Sequence, residues 1–321
     1  MNVLVFDRPA SRSFYTVAGR FLFIETFDSN LARLIDSLFA GWQLTPVASP
    51  GREAEIEIKF YCDESAPSIP LGLNHFEVAD GGHCFTEADA YYLEFDNSLM
   101  RLRQGVRVQV DVWIKQVPET ADAELGRVTS FAVCAALRRF GLFDLHSAAV
   151  AEPKSGRGVL IVGPSGSGKS TLTYQLAKAD WPYLSDDEVL LSVCDGVVEA
   201  RGFRSFFALR DAAGRASKNV FEPAGVFSST RMSDVSPGWL LFTAISGSQQ
   251  TQLRELSQPE TMTRLIRACP WATYDTSIAG ANLNLLSRLA RQVKAFVLAA
   301  GKDLLEPARA AELMDQHLRS N

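Results

Sequence analysis

The chain has 321 residues, 47% of them hydrophobic and 21% charged, which is enough apolar material for one large or two ordinary domains. That balance excludes wholesale disorder and fibrous repeats. With 32 basic and 37 acidic residues the formal charge is −5, which argues against nucleic acid or an anionic membrane as the main partner.

Five cysteines (Cys62, Cys84, Cys134, Cys194, Cys269) are far apart and contain no CxxC pair. They read as reduced thiols rather than a disulfide or zinc framework. The opening MNVLVFDRP is too short an apolar stretch for a signal-peptide core. The longest apolar runs, such as Gly238–Ile245, fall far below the roughly 18 residues needed to span a bilayer. A cytoplasmic protein without a membrane segment is expected.

In chain order, residues 1–140 read as an α+β domain. Phe21–Phe27, Glu55–Tyr61, Tyr91–Phe95 and Val106–Ile114 have the alternation and β-branched or aromatic content of strands. Asn30–Phe39 places Leu31, Leu34, Ile35 and Leu38 on one helical face. Ser65–Gly72 and an Asp80–Gly82 turn punctuate this half, and a helix is predicted over Ala123–Phe140. No catalytic constellation precedes residue 140. Residues 141–321 read as a second domain. Ala148–Ala151, Gly158–Val162, Pro182–Leu184, Val189–Val193, Val197–Ala200 and Trp239–Ile245 are predicted strands, with a hairpin turn at Asp195-Gly196. Helices are predicted over Lys169–Ala179, Leu283–Ala300 and Pro307–Leu318. This order implies a mixed or parallel sheet with its ligand at the strand ends.

Gly163-Pro164-Ser165-Gly166-Ser167-Gly168-Lys169-Ser170-Thr171 matches G-x-x-x-x-G-K-[ST], the phosphate-binding P-loop. The glycines permit torsions and close approaches that a side chain would block, and the following helix adds its positive dipole end. Lys169 can reach the β/γ oxygens, and the Ser170 hydroxyl can ligate Mg²⁺. By composition, a chain this long matches the pattern by chance roughly once in 100. Here the match also sits between a predicted strand and a helix, as its function requires.

Seventeen residues past Lys169, Asp186-Asp187 ends a predicted strand. Adjacent carboxylates beside a phosphate site supply a Mg²⁺ ligand and a proton acceptor. His146 lies one strand upstream of the loop. Arg201, Arg204 and Arg210 form the only basic cluster soon after the aspartates, and any of them could face the γ-phosphate or simply sit on the surface. His75, His83 and His317 lack metal-ligand spacing. Phe203, Phe206 and Phe207 read as core, and Asp303–Glu306 as a helix-flanking charge cluster. Ser228–Asp234 is a polar loop that could touch substrate.

Together, His146, Gly163–Thr171 and Asp186-Asp187 resemble the catalytic domain of HPr kinase/phosphorylase, and more closely the HPr-kinase-related proteins that include lasso-peptide serine kinases. The resemblance covers about residues 145–320. It implies an α/β fold of the HPr kinase/phosphoenolpyruvate carboxykinase type, with transfer of the γ-phosphate of Mg²⁺-bound ATP to a serine hydroxyl. It makes Asp186 the acid/base, Asp187 the metal ligand and His146 the active-site histidine. The family signature E-[IV]-R-G-x-G is only partly echoed in Glu199-Ala200-Arg201-Gly202-Phe203-Arg204. The N-terminal half does not resemble the parent's regulatory domain. The expected acceptor is a peptide or small protein. A small-molecule hydroxyl kinase and a nucleotide-dependent switch or ATPase are the alternatives. The parent family is hexameric, which leaves self-association open here.

Overall fold

The computed structural model describes residues 8–48, 53–62, 66–78, 81–87, 90–210, 218–271 and 275–319. Its chain divides into two compact units, one running to Phe140 with a short piece ending at Ser277, the other holding the rest. Both mix helices with sheets.

The first unit contains β1 (Ser11–Val17), β2 (Arg20–Thr26), α1 (Ser29–Phe39), β3 (Thr45–Pro46), β4 (Ile56–Cys62), β5 (Asn74–Val78), β6 (Gly82–Thr86), β7 (Ala90–Glu94), β8 (Ser98–Gln104), β9 (Val108–Ile114) and α2 (Ala123–Arg138). Among the described residues the strands form one sheet in the order β3-β1-β2-β4-β9-β8-β7-β6-β5. The β2–β4 and β4–β9 pairs are parallel and the others antiparallel. Both helices start at an aspartate whose carboxylate accepts an orphan amide: Asp28 from Leu31 and Asp122 from Leu125, each at 2.8 Å. On β9, Val108, Val110 and Val112 are buried, while Asp111 accepts from Arg101 and Arg103 of β8. Residues 1–7, Ser65 and Asp80 lie outside the described residues, and with them part of the predicted 65–72 and 80–82 punctuation.

The second unit contains β10 (Phe143–Leu145), β11 (Ser147–Ala151), β12 (Gly158–Val162), α3 (Lys169–Lys178), β13 (Tyr183–Ser185), β14 (Val189–Cys194), β15 (Val197–Gly202), β16 (Phe207–Arg210), β17 (Lys218–Phe221), β18 (Asp234–Val235), β19 (Pro237–Ile245), β20 (Gln252–Glu255), α4 (Gln258–Ala268), most of α5 (Thr276–Gln292), β21 (Lys294–Ala300) and α6 (Pro307–Arg319). Its main sheet has the order β13-β11-β12-β19-β21-β20, with β12, β19 and β21 mutually parallel and the flanking pairs antiparallel. A second ladder, β10-β14-β15-β18, is antiparallel.

Central parallel strands bury both faces, so their sequences are apolar throughout rather than alternating. Leu160 and Val162 of β12 and Leu240 and Phe242 of β19 join one core cluster with Leu265 of α4 and Leu285, Leu286 and Leu289 of α5. Val159, Ile161 and Leu241 face the other cluster, with Leu172 and Leu176 of α3 and Leu313 and Met314 of α6. Each fully buried leucine contributes about 1.5–3 kcal/mol. The result packs the C-terminal end of β12 between two helical layers.

One predicted element is corrected. Residues 283–300 are not one helix: α5 ends at Gln292 and residues 294–300 form β21, paired in parallel with β19. The alanines of KAFVLAA suit a helix, but Phe296 and Leu298 fill one core cluster and Ala295 the other. Pairing and two-sided burial override the local propensity. Gln292 seals the break, its amide bonding to Val198 and to the Pro237 carbonyl. Sequence reading also missed β1, β3, β5, β6, β8, β10, β16, β17, β18, β20 and α4.

Candidate active site

The loop between β12 and α3 is shaped by its glycines. A Cβ on Gly163 would collide with Ser167 Oγ and sit 2.9 Å from the Thr243 carbonyl oxygen, on the adjacent strand β19. Gly166 and Gly168 take φ of +82° and +96°, where a side chain is strained, and Gly168 is the residue that starts α3. Ser167 Oγ lies 3.0 Å from Thr243 Oγ1, tying the loop to β19. Among the described residues, the amides of Ser165, Gly166 and Gly168 donate to no protein acceptor. Unsatisfied amides beside a helix N-terminus are what an anion binds.

Lys169 lies within this ring. Its buried ammonium donates to the carbonyls of Gly163 (2.7 Å) and Pro164 (3.2 Å) and lies 2.9 Å from His146 Nε2. His146, between β10 and β11, presents its other nitrogen, Nδ1, 3.4 Å from Asp187 Oδ1. An ammonium needs a lone pair on Nε2 and a carboxylate prefers a proton on Nδ1, so both partners select the neutral Nδ1–H tautomer. The chain Lys169–His146–Asp187 therefore runs across the mouth of the loop. A pocket of about 290 Å³ opens there. His146, Gly166, Lys169, Ser170 and Asp187 line it, with Ala208 and Leu209 of β16 and Ile245 of β19.

The two aspartates part company. Asp187 faces this pocket, its side chain 41% exposed. Asp186 is 1% exposed, does not line the pocket, and accepts a 2.7 Å hydrogen bond from the Ala208 amide through Oδ2. Neither Arg201 nor Arg204 lines the pocket at the loop. Arg204 pairs with Glu188 at 2.9 Å and Arg201 lies 3.8 Å from Asp234. The Arg210 side chain lies outside the described residues. Ser228 of the 228–234 loop donates to Asp180, away from the pocket lining. Phe203 and Phe207 are core, Phe207 packing edge-on against Tyr183 and Phe227. Ala208, Leu209 and Ile245 were not foreseen as lining. Ile245 carried a signal, since it ends the strand that pairs in parallel with β12.

A second, apolar pocket of about 260 Å³ adjoins the first at Gly168, Thr171 and Ile245. Leu172, Leu298, Leu304 and Leu305 wall it, and Ile245 and Leu305 are 65% and 54% exposed. Large apolar side chains left this open beside a polar loop suit a flat, partly apolar ligand.

The donor set fits magnesium, whose ligands are hard oxygens: a hydroxyl from Ser170 and a carboxylate from Asp187 reach the same pocket. No helix of the described residues is long and apolar enough to cross a membrane. No protein-family model matches the chain, and no curated protein matches it. Among solved structures, the Hpr(Ser) kinase/phosphatase from Coxiella burnetii aligns with a TM-score of 0.35 and 11% identity, over 54% of this chain and 95% of that one. A likeness that distant decides neither fold nor chemistry.

Proposed function

We propose that this chain is a kinase of the HPr kinase/phosphoenolpyruvate carboxykinase type, moving the γ-phosphate of Mg·ATP to a hydroxyl, in the first instance a serine of a peptide or small protein in the cytoplasm. The observation that carries the reading is the buried Lys169 ammonium. It is held by Gly163, Pro164 and His146 at a loop whose amides lack protein acceptors, with Ser170 and Asp187 on the same pocket.

In this reading the loop amides and Lys169 hold the β and γ phosphates, and the base lies in the apolar pocket between Leu172, Leu304 and Leu305. Ser170 and Asp187 would hold the magnesium, which neutralises charge on the departing diphosphate. His146 keeps Lys169 and Asp187 in register. The acceptor oxygen bonds to phosphorus as the bridging oxygen leaves with ADP, and the hydroxyl proton passes to Asp186. For that, the Ala208 amide must yield its hold on Asp186. The residues up to Phe140 would recognise the acceptor or mediate self-association.

One observation favours a second reading. A carboxylate buried under β16 and already bonded to an amide suits a switch that binds ATP and hydrolyses it slowly, with Asp186 as a structural pin. The deciding experiment supplies the full chain with γ-labelled ATP, Mg²⁺ and serine peptides, and follows the label. Transfer to a serine supports the kinase, label in inorganic phosphate alone supports the switch, and failure to bind Mg·ATP overturns both.

A further inference from the structure

A third pocket, about 310 Å³, adjoins the loop at Gly163 and Pro164, lined also by His146, Phe242, Arg264 and Arg267 among others. The two arginines come from α4, whose start is set by Ser257 donating its amide (2.9 Å) and hydroxyl (2.8 Å) to Glu260. Three residues apart, they share one face of the helix, while Thr261 and Leu265 are buried. The Arg264 guanidinium lies over the Phe242 ring, 5.7 Å from its centroid. Among the described residues, no acidic residue lines this pocket and neither guanidinium has a carboxylate partner. By contrast, Arg139, Arg204 and Arg254 each pair with an acid.

The position is as telling as the charge. In the 163–171 loop, Gly168 and Thr171 adjoin the apolar pocket, while Gly163 and Pro164 adjoin the arginines. Lys169, which reaches the terminal phosphates in such loops, points its ammonium to His146, a residue shared by this pocket and the central one. The arginine pocket therefore lies at the end of the loop where the γ-phosphate would be, opposite the end assigned to the base.

We infer that this pocket anchors the acceptor, holding the carboxylates of an acidic peptide segment on Arg264 and Arg267 so that a neighbouring serine faces the loop; this rests on the kinase reading above. Guanidinium forks match carboxylates in a planar, two-point geometry. Arg267 is exposed, which suits a chain passing along the surface better than a small molecule that needs enclosing.

The test uses the full chain and two fluorescein-labelled peptides identical except that glutamates flanking one serine become glutamines. Binding is read by anisotropy with Mg·ATP affinity measured separately. The glutamate peptide should bind the wild type about tenfold more tightly than the glutamine peptide. Arg264→Gln and Arg267→Gln should each erase that preference without changing Mg·ATP affinity. Arg267→Glu, at an exposed position that tolerates replacement, should disfavour the glutamate peptide outright. Equal binding of the two peptides by the wild type would overturn the assignment. So would displacement of the glutamate peptide by glycerate but not glycerol at lower concentration than by unlabelled peptide, which would make the ligand a small hydroxy acid. If Mg·ATP affinity falls in the arginine variants, the pair serves the donor phosphates instead. Loss of Mg·ATP binding by the wild type would sink the kinase reading and leave the peptide result standing alone.

Discussion

The two adjacent aspartates allow the sharpest test of the chemistry, because they differ in burial and not in type. Asp186→Asn preserves shape and can still accept from the Ala208 amide, now without charge. A hydrogen bond to a charged group contributes about 1.5–3 kcal/mol and a neutral one about 0.5–1.5, so the fold loses about 1–1.5 kcal/mol at that 2.7 Å contact. Relief from burying a charge offsets part of this. At about 2–4 °C per kcal/mol for a unit of this size, the melting temperature should fall by less than about 6 °C. Losing a general base costs about 10²–10⁴-fold in transfer, or about 3–5 kcal/mol of barrier, well beyond the structural effect. The assay compares initial rates of label transfer, Mg·ATP affinity and melting temperature for Asp186→Asn, Asp187→Asn and the wild type. Asp186→Asn should keep nucleotide affinity within about twofold while transfer falls at least 10²-fold. Asp187→Asn should raise the Mg²⁺ requirement and weaken nucleotide binding together. Normal transfer by a folded Asp186→Asn would refute the base assignment and leave Asp186 as the pin beneath β16. Metal dependence lost in Asp186→Asn and kept in Asp187→Asn would exchange the two roles.

Lys169→Met removes the ammonium that the Gly163 and Pro164 carbonyls hold; Mg·ATP affinity should fall about 10–150-fold, and calorimetry giving wild-type affinity would remove the loop from the site. Glu260 at the start of α4 is held down to about 2 from an ordinary 4.5, first by the Ser257 amide, then by its hydroxyl and by Arg254. Because the folded value lies below the unfolded one, its stabilisation is complete above about pH 4.5 and is lost as pH falls toward 2. The difference in thermal unfolding between wild type and Glu260→Gln should thus be constant near neutrality and close in acid, and a gap that widens on acidification would contradict it. In the first unit, Asp275→Ala strips a buried partner from Arg139, now 2.6 Å away, and should cost about 3–5 kcal/mol in urea unfolding. A loss below about 1 kcal/mol would mean that the pair is solvated.

What the sequence determined by itself is what short-range physics decides. The β12 strand, the loop after it and the start of α3 were legible because glycine torsions, a strand-length apolar run and a helix N-terminus all act within a few residues. The Asp195-Gly196 turn was legible for the same reason, with both residues at positive φ. Tertiary structure decided the rest. Residues 294–300 are a strand because β19, some fifty positions earlier, offers them a parallel partner with core on both faces. Asp186 and Asp187 are chemically equivalent in the sequence, but the fold buries Asp186, which accepts from the Ala208 amide arriving on β16, and leaves Asp187 on the pocket. The arginines near the aspartates were natural candidates for the phosphate. Glu188 instead takes Arg204, while Arg264 and Arg267 reach the loop from a helix a hundred residues downstream of it. Charges are cheap to place along a chain, but which of them meet is settled by the packing of elements distant in sequence, and no local pattern encodes that.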